Sequence, residues 1–494
     1  MTEISLKKSF IKNNLWVTIG QIIVYAKGII VLPILIKSLG VSVYGGYSLL
    51  LTFSGFIAGI SSFGVGYRYK RFIPSETDLG EKRLLFYTQF YFQLISLVFF
   101  WIIFIIVKDG FQYDFFRENI DFSVYLLCGV MLFDFLWTQA TNYFRNTHRM
   151  NHYTLSSTIR PYLNIACIIF VIYYLKQTGI NYLLLAAIAT GIIMTIPYSF
   201  LMIKEIGFQL PKFNYKQITE DIRLGFPLML TFVIDFVLSG SDRFIIAYYM
   251  STTAVGHYNP AYTLGSLIVF IPKVCGVVLP PLLIHAYDRK DELVSNELIN
   301  YTIKFFLIFV IPFVIGSFIL SKPLLTLLAN NEVAEAAWFV TPIVALGTLF
   351  YGLNIIFSEI LFVQMKTKMI FYINVFAAVL NLVLNLILMH YFKNIIIAAA
   401  TTLLSYLISF LIFYKNIQST IKIKLDYLFI GKIITASAFM GLALYFAKSF
   451  SSNIGYTLGI TFLSILFYLS LTILFRTFTK KEYAFIKGFL SNKK

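Results

Sequence analysis

Residues 369–415 read MIFYINVFAAVLNLVLNLILMHYFKNIIIAAATTLLSYLISFLIFYK. Runs 369–392 and 395–415 are each long enough to cross hydrocarbon as a helix, which takes roughly 20 apolar residues, and only Lys393-Asn394 separates them. The chain crosses, turns and crosses back. Working outward, similar runs joined by short polar segments fall at 14–37, 43–67, 84–107, 122–143, 153–175 and 180–203, then at 224–250, 254–287, 299–320, 334–363, 427–447 and 454–475. The total is about fourteen spans. Composition agrees: 59% of the 494 residues are hydrophobic and 13% charged, too little polar surface to coat a soluble globule.

The formal net charge of +17 would suggest nucleic acid in a soluble protein. Here the Lys and Arg crowd alternate joints and the C-terminal tail, as in Arg68, Lys70, Arg71, Lys82 and Arg83, then Lys204, Lys212, Lys216 and Arg223, then Arg476, Lys480, Lys481 and Lys487. The other joints are acidic or bare, as in Asp109, Asp114, Glu118 and Asp121. This bias orients both termini to the cytoplasm and removes the case for nucleic acid. Lys7, Lys8 and Lys12 precede a first span with no small-residue cleavage site, which reads as a retained helix. Cys128, Cys167 and Cys275 lie in separate apolar runs without metal-ligand spacing and read as core residues.

Laying the second group of spans on the first at an offset of about 211 residues brings Gly45 and Tyr47 onto Gly256 and Tyr258, and Ala189-Thr190 onto Ala400-Thr401. Such an offset covers six helices, an even number, so the halves are parallel. The expected architecture is an all-α integral membrane protein with two six-helix bundles, 1–203 and 224–418. A linker at 204–223 joins them, and 419–494 adds two further helices and a basic tail. Two such bundles suit alternating access, and Pro33, Pro161, Pro197, Pro227, Pro272, Pro280, Pro281, Pro312 and Pro342 within spans either bend helices for that motion or reflect ordinary membrane-helix composition.

Ionisable groups inside spans are costly unless they face water or a partner, so they mark candidate sites. The basic set is Lys27 near mid-depth, Arg160 and Lys273 toward the cytoplasm, and Arg243 toward the outside. This ladder suits an anion entering from within; the plain alternative is that each pairs with a carboxylate and holds helices together. Lys304 and Lys432 near helix ends read as snorkelling. The acidic set is Asp134, Asp235, Asp242 and Glu359, candidates for ion coupling unless a cation pairs with them. Asn374, Asn381 and Asn385 share a helix face, which interhelical hydrogen bonds or a cavity lining would explain. Tyrosines at predicted ends form an interfacial belt, and His257 reads as an interfacial residue.

Ser38-Leu39-Gly40-Val41-Ser42-Val43-Tyr44-Gly45-Gly46-Tyr47, with Phe63-Gly64-Val65-Gly66 and Arg71-Phe72-Ile73-Pro74, resembles the first two helices of the Wzx-type polysaccharide flippases of the multidrug/oligosaccharidyl-lipid/polysaccharide (MOP) exporter superfamily. Leu224-Gly225-Phe226-Pro227, Ser241-Asp242-Arg243 and Val255-Gly256-His257-Tyr258 resemble the start of the family's second half. Asn381 and Ile397-Ala398-Ala399-Ala400-Thr401 are similar to its eleventh and twelfth helices, without the usual glycine before the alanines. The resemblance implies a flippase in the bacterial inner membrane that carries an undecaprenyl-diphosphate-linked oligosaccharide outward for O-antigen or capsule synthesis, driven by an ion gradient. It implies membrane lipid, a polysaccharide polymerase and chain-length proteins as partners and no cofactor. On this picture Arg160 and Lys273 meet the diphosphate, Lys27 holds it and Arg243 helps release it.

Two rivals stand beside it. A drug or cation antiporter of the same superfamily shares the plan but favours an acidic cavity and twelve helices. A membrane-embedded polymerase or glycosyltransferase needs a larger outer loop than 108–121 or 321–333. No phosphate loop, nucleophile-base pair or metal cluster stands out, so the sequence gives no support to ATP hydrolysis or other enzyme chemistry by this chain.

Overall fold

In hydrocarbon every backbone N–H and C=O must find a partner inside the chain, and for a single segment only a helix provides them all. The computed structural model describes residues 27–28, 30–107, 120–147, 149–210, 215–289, 292–418, 426–448 and 454–477, and among them there is no strand. In chain order the helices are α1 (Ile30–Leu39), α2 (Val41–Ser61), α3 (Gly66–Phe72), α4 (Leu79–Val107), α5 (Ile120–Asn146), α6 (Met150–Ile169), α7 (Ile180–Ile206), α8 (Tyr215–Tyr249), α9 (Thr252–Gly265), α10 (Phe270–Asp288), α11 (Glu292–Leu328), α12 (Asn331–Ala337), α13 (Val340–Val363), α14 (Thr367–Phe392), α15 (Ile395–Gln418), α16 (Tyr427–Ala447) and α17 (Ile454–Leu474). Among the described residues, 12 helices are long and apolar enough to cross a membrane. The chain is an all-α, multi-pass membrane protein.

Two of the expected spans are not among those 12. Run 14–37 lies mostly outside the described residues, and α1 covers only its end. Run 254–287 is broken: α9 stops at Gly265, a 3-10 turn covers Leu267–Val269, and α10 starts at Phe270. Pro272 has no N–H to donate back to Ile268, so a regular helix cannot close there.

The described residues as far as Phe236, with Ser251–Gly256, form one compact unit, and Val237–Met250 with the described residues from His257 onward form a second. In the first unit α5 runs along α7, and a Cβ at Gly191 would stand 2.6 Å from the Phe133 Cβ, so only glycine permits that approach. Gln89 and Gln93 of α4 and Gln139 of α5, all buried, close a ring. Gln89 Nε2 donates to Gln139 Oε1 (2.8 Å), Gln139 Nε2 to Gln93 Oε1 (2.7 Å), and Gln93 Nε2 to Gln89 Oε1 (2.9 Å). Each amide both gives and accepts, which meets the cost of burying polar groups among apolar helices.

The exit from α7 is fixed onto α4 by three donors: Arg83 Nε to the Ile206 carbonyl (2.7 Å), Tyr87 Oη to that of Gly207 (2.8 Å) and Tyr91 Oη to that of Gln209 (3.0 Å). Gly207, at φ 74°, supplies the left-handed turn that ends the helix. Arg68 of α3 pairs with Glu220 (3.0 Å) and with the buried Asp221 of α8. Arg149 pairs with Glu205.

In the second unit α13 packs on α15, with Asn354 Nδ2 donating to Ser409 Oγ at 2.7 Å, while α16 and α17 pack on α11. Phe429, Ile433, Ala436 and Met440 bury against Ile308 and Leu320. Tyr468 Oη donates to the Ile308 carbonyl at 2.7 Å, and Lys304 Nζ meets Asp426 at 2.7 Å. Lys304 is therefore ion-paired at a helix N-cap rather than simply snorkelling.

Candidate functional site

Four intramembrane cations and four carboxylates were singled out in the sequence, and the structure distributes them over both units. In the first unit Arg160 of α6 pairs through Nη2 with Asp134 Oδ1 of α5 and lies over the Trp137 ring, 4.3 Å from its centroid. Asp134 and Trp137 are three residues apart on a helix, hence on one face, and Arg160 binds both. Pro161 follows Arg160, which leaves the Ser157 carbonyl without its helical donor. Lys27, just ahead of α1, lies within electrostatic reach of both Arg160 and Asp134. The buried Tyr47 of α2 also feels the Asp134 charge. Two cations thus share one carboxylate in an apolar setting, which leaves a site able to receive an anion.

In the second unit Asp242 of α8 has 0% exposure. Tyr258 Oη donates to its Oδ2 (2.7 Å), Thr402 Oγ1 approaches the same oxygen at 3.1 Å, and Asn385 Nδ2 donates to Oδ1 (2.9 Å). Asn381 Nδ2 in turn donates to Thr402 Oγ1 at 3.0 Å. Helices α9, α14 and α15 therefore converge on one carboxylate. Asn385 Oδ1 is buried with no hydrogen-bond partner. A carboxylate is a ligand that a hard cation prefers, and here three hydrogen-bond donors hold it in place.

Arg243, next in sequence, stays within electrostatic reach of Asp242 but hydrogen-bonds elsewhere: its Nε donates to Asn259 Oδ1 (2.9 Å), its Nη1 to the Ser239 carbonyl (2.8 Å), and it stacks over Tyr262 at 4.8 Å. Lys273 is exposed in the first turn of α10. Glu359 of α13 is half-buried beside Gly276 of α10, where a Cβ would lie 3.5 Å from its Oε1. Asp235 is exposed on α8. His257 meets Glu332 at 2.9 Å. Of the acidic set, Asp242 alone is fully enclosed, and of the asparagine stripe Asn381 and Asn385 are the members that bind near it.

The second unit also holds a partly open apolar cavity of about 1010 Å³ between α9, α11, α16 and α17, with Phe309, Gly316, Met440 and Leu469 on its walls and Arg476 among its lining residues. Lys432 Nζ donates to the Arg476 carbonyl at 3.1 Å, next to that end of the cavity. The two helices expected within 419–494, α16 and α17, form one side of this cavity. Trp137 and the glutamine ring have no signature in the sequence, because an isolated Trp or Gln carries no spacing signal; only the cross-helix geometry makes them informative.

Comparison with known proteins gives these features a context. The family model described as "Polysaccharide biosynthesis protein" matches residues 10–286, more than half of the chain, and the MatE model matches residues 227–387. The chain is similar to a probable low-salt glycan biosynthesis flippase, Agl15, of Haloferax volcanii, with 22% identity over 59% of this chain and 61% of the relative. It is also similar to a probable lipid II flippase MurJ of Buchnera aphidicola subsp. Baizongia pistaciae, with 27% identity over 60% of each. The alignments thus span about 60% of the length of these curated relatives. Among solved structures, lipid II flippase MurJ in an inward closed conformation superposes with a TM-score of 0.75 at 18% identity, covering 94% of this chain and 99% of that one, which shows a shared fold. The chain belongs to the polysaccharide biosynthesis protein family.

Proposed function

We propose that this protein is a flippase, a transporter rather than an enzyme, that carries an undecaprenyl-diphosphate-linked oligosaccharide from the cytoplasmic to the outer leaflet of a bacterial inner membrane by alternating access. The observation that carries this reading is the surplus cation at Lys27, Arg160 and Asp134: a charged headgroup must find counter-charge to cross an apolar region. The cavity walled by α11, α16 and α17 adds a place for a hydrocarbon chain, with Arg476 and Lys432 near the charged end of such an amphiphile. Asp242, held by hydrogen-bond donors from three helices, is the carboxylate best suited to a coupling-ion site, ahead of the exposed Asp235 and the ion-paired Asp134. The Lys and Arg bias among the joints supports an orientation with both termini in the cytoplasm. O-antigen or capsule repeat units are the cargo that the family's biosynthetic role favours, with a polymerase and chain-length proteins downstream.

The proposal is tested by comparing Arg160→Ala, Lys273→Ala and Lys448→Ala in reconstituted vesicles. Transport should fall on order tenfold or more for the first, less for the exposed Lys273, and not for Lys448, which lies at the end of α16. Equal tolerance at all three would remove the basic site from the mechanism. The buried Asp242 site is equally compatible with an ion-coupled drug or cation antiporter, and the substrate that moves decides between them.

A further inference from the structure

The two best-defined intramembrane carboxylates are built differently. Asp242 has no exposure and is held by donors from three helices. The Asp134 side chain is 41% exposed, whereas its partner Arg160 is only 17% exposed. The cation is the rooted member of that pair and the carboxylate the open one. Trp137 stacks on Arg160 independently of Asp134, so the guanidinium keeps its position when the carboxylate leaves. A carboxylate that is already partly open has room to swing away from the guanidinium.

Resting on the flippase reading, we infer that Asp134 is an internal stand-in for the substrate's phosphate: it occupies Arg160 between cycles and must be displaced when the lipid-linked headgroup arrives. Such a stand-in keeps two neighbouring cations from standing bare in an apolar region, which would be costly. It also sets a charge threshold. A sugar linked through one phosphate brings a single negative charge and merely exchanges for the carboxylate on Arg160. A diphosphate linkage brings two, one for Arg160 and one for Lys27, and gains an interaction that the resting site lacks. Asp134 therefore competes with any arriving phosphate for Arg160 while Lys27 supplies the preference for a second charge, and its departure frees Arg160 for two parallel N–H donations to phosphate oxygens.

The experiment uses the full chain in nanodiscs and two probes with the same tail and sugar: N-acetylglucosamine linked to farnesol through a diphosphate, and through a single phosphate. Wild type should prefer the diphosphate probe. Asp134→Asn should bind both probes roughly tenfold more tightly than wild type does and keep the preference for the diphosphate. Unchanged or weaker binding of both probes by Asp134→Asn, with Arg160→Ala still losing the diphosphate, would overturn the stand-in and leave the flippase reading intact. Failure of wild type to bind either probe would overturn both. An infrared difference spectrum of the unaltered protein with and without the diphosphate probe needs no variant to fold. A carboxylate band that moves on binding is expected, and a silent carboxylate region contradicts the inference.

Discussion

Tyr258 Oη donates to Asp242 Oδ2 at 2.7 Å, and both residues have 0% exposure. Removing the hydroxyl in Tyr258→Phe leaves one oxygen of a buried carboxylate short of a donor, a loss of about 1–3 kcal/mol. The melting temperature of the detergent-solubilised protein should fall by several degrees. If Asp242 holds the coupling ion, sodium added in place of choline should raise the melting temperature of wild type through binding to the folded state. Asp242→Asn should abolish that increment. An increment that survives in Asp242→Asn would place the ion elsewhere.

The glutamine ring makes a prediction of opposite sign for one and three changes. Gln139→Leu alone strands a donor on Gln89 and an acceptor on Gln93, at a cost of about 2 kcal/mol. Gln89, Gln93 and Gln139 all replaced by Leu removes the orphans together, and thermal unfolding should find the triple variant more stable than the single one. The reverse order would show that the ring is not a closed unit.

Gly45 and Gly256 make reciprocal contacts within the first unit. A Cβ on Gly45 would stand 2.0 Å from the Thr252 carbonyl oxygen, and one on Gly256 2.2 Å from that of Val41. The internal offset of about 211 residues carries Val41 to Thr252 and Gly45 to Gly256, so repeat-related residues share a two-fold-like seam. Ala at either glycine should cost on the order of 1–3 kcal/mol, since backbone must shift. Gly55→Ala, elsewhere on α2 with nothing within 4 Å of its Cβ, should be neutral or mildly stabilising in the same melt.

Asp426 caps α16, accepting from the Phe429 N–H at 3.0 Å, and pairs with Lys304. The Lys304 bond, then the cap, holds its carboxyl below the ordinary value. A carboxylate with a depressed native pKa stabilises the fold fully above its unfolded value of about 3.9 and loses that contribution as pH falls through the native value. Wild type should therefore lose stability below about pH 4. Asp426→Asn, which keeps a capping oxygen, should be less stable at neutral pH and show a smaller acid-dependent loss. Parallel pH profiles for the two would contradict the assignment.

The periodicity of long apolar runs made the membrane helices legible, since hydrocarbon length and backbone hydrogen bonding leave little choice. The broken run 254–287 was not, because hydropathy ignores where Pro272 denies a donor to Ile268. Intramembrane charge singled out Arg160, Asp134 and Asp242, but could not say which of them meet. Asp134 lies 26 residues before Arg160 and finds it across two helices; Asn385 lies 143 residues after Asp242. Such pairings depend on helix rotation and crossing, which apolar runs with no strongly polar face do not encode. Arg243 shows the converse, since its sequence neighbour Asp242 is not the group its side chain binds.

The most direct test of the central claim is translocation in proteoliposomes containing this protein alone, with a fluorescent diphosphate-linked oligosaccharide lipid loaded in one leaflet and scored by glycan accessibility from the other side. The account predicts accessibility that rises with time in vesicles holding wild type and stalls with Arg160→Ala. Vesicles in which the glycan stays inaccessible while a cationic drug is exported would contradict it and assign the chain to antiport.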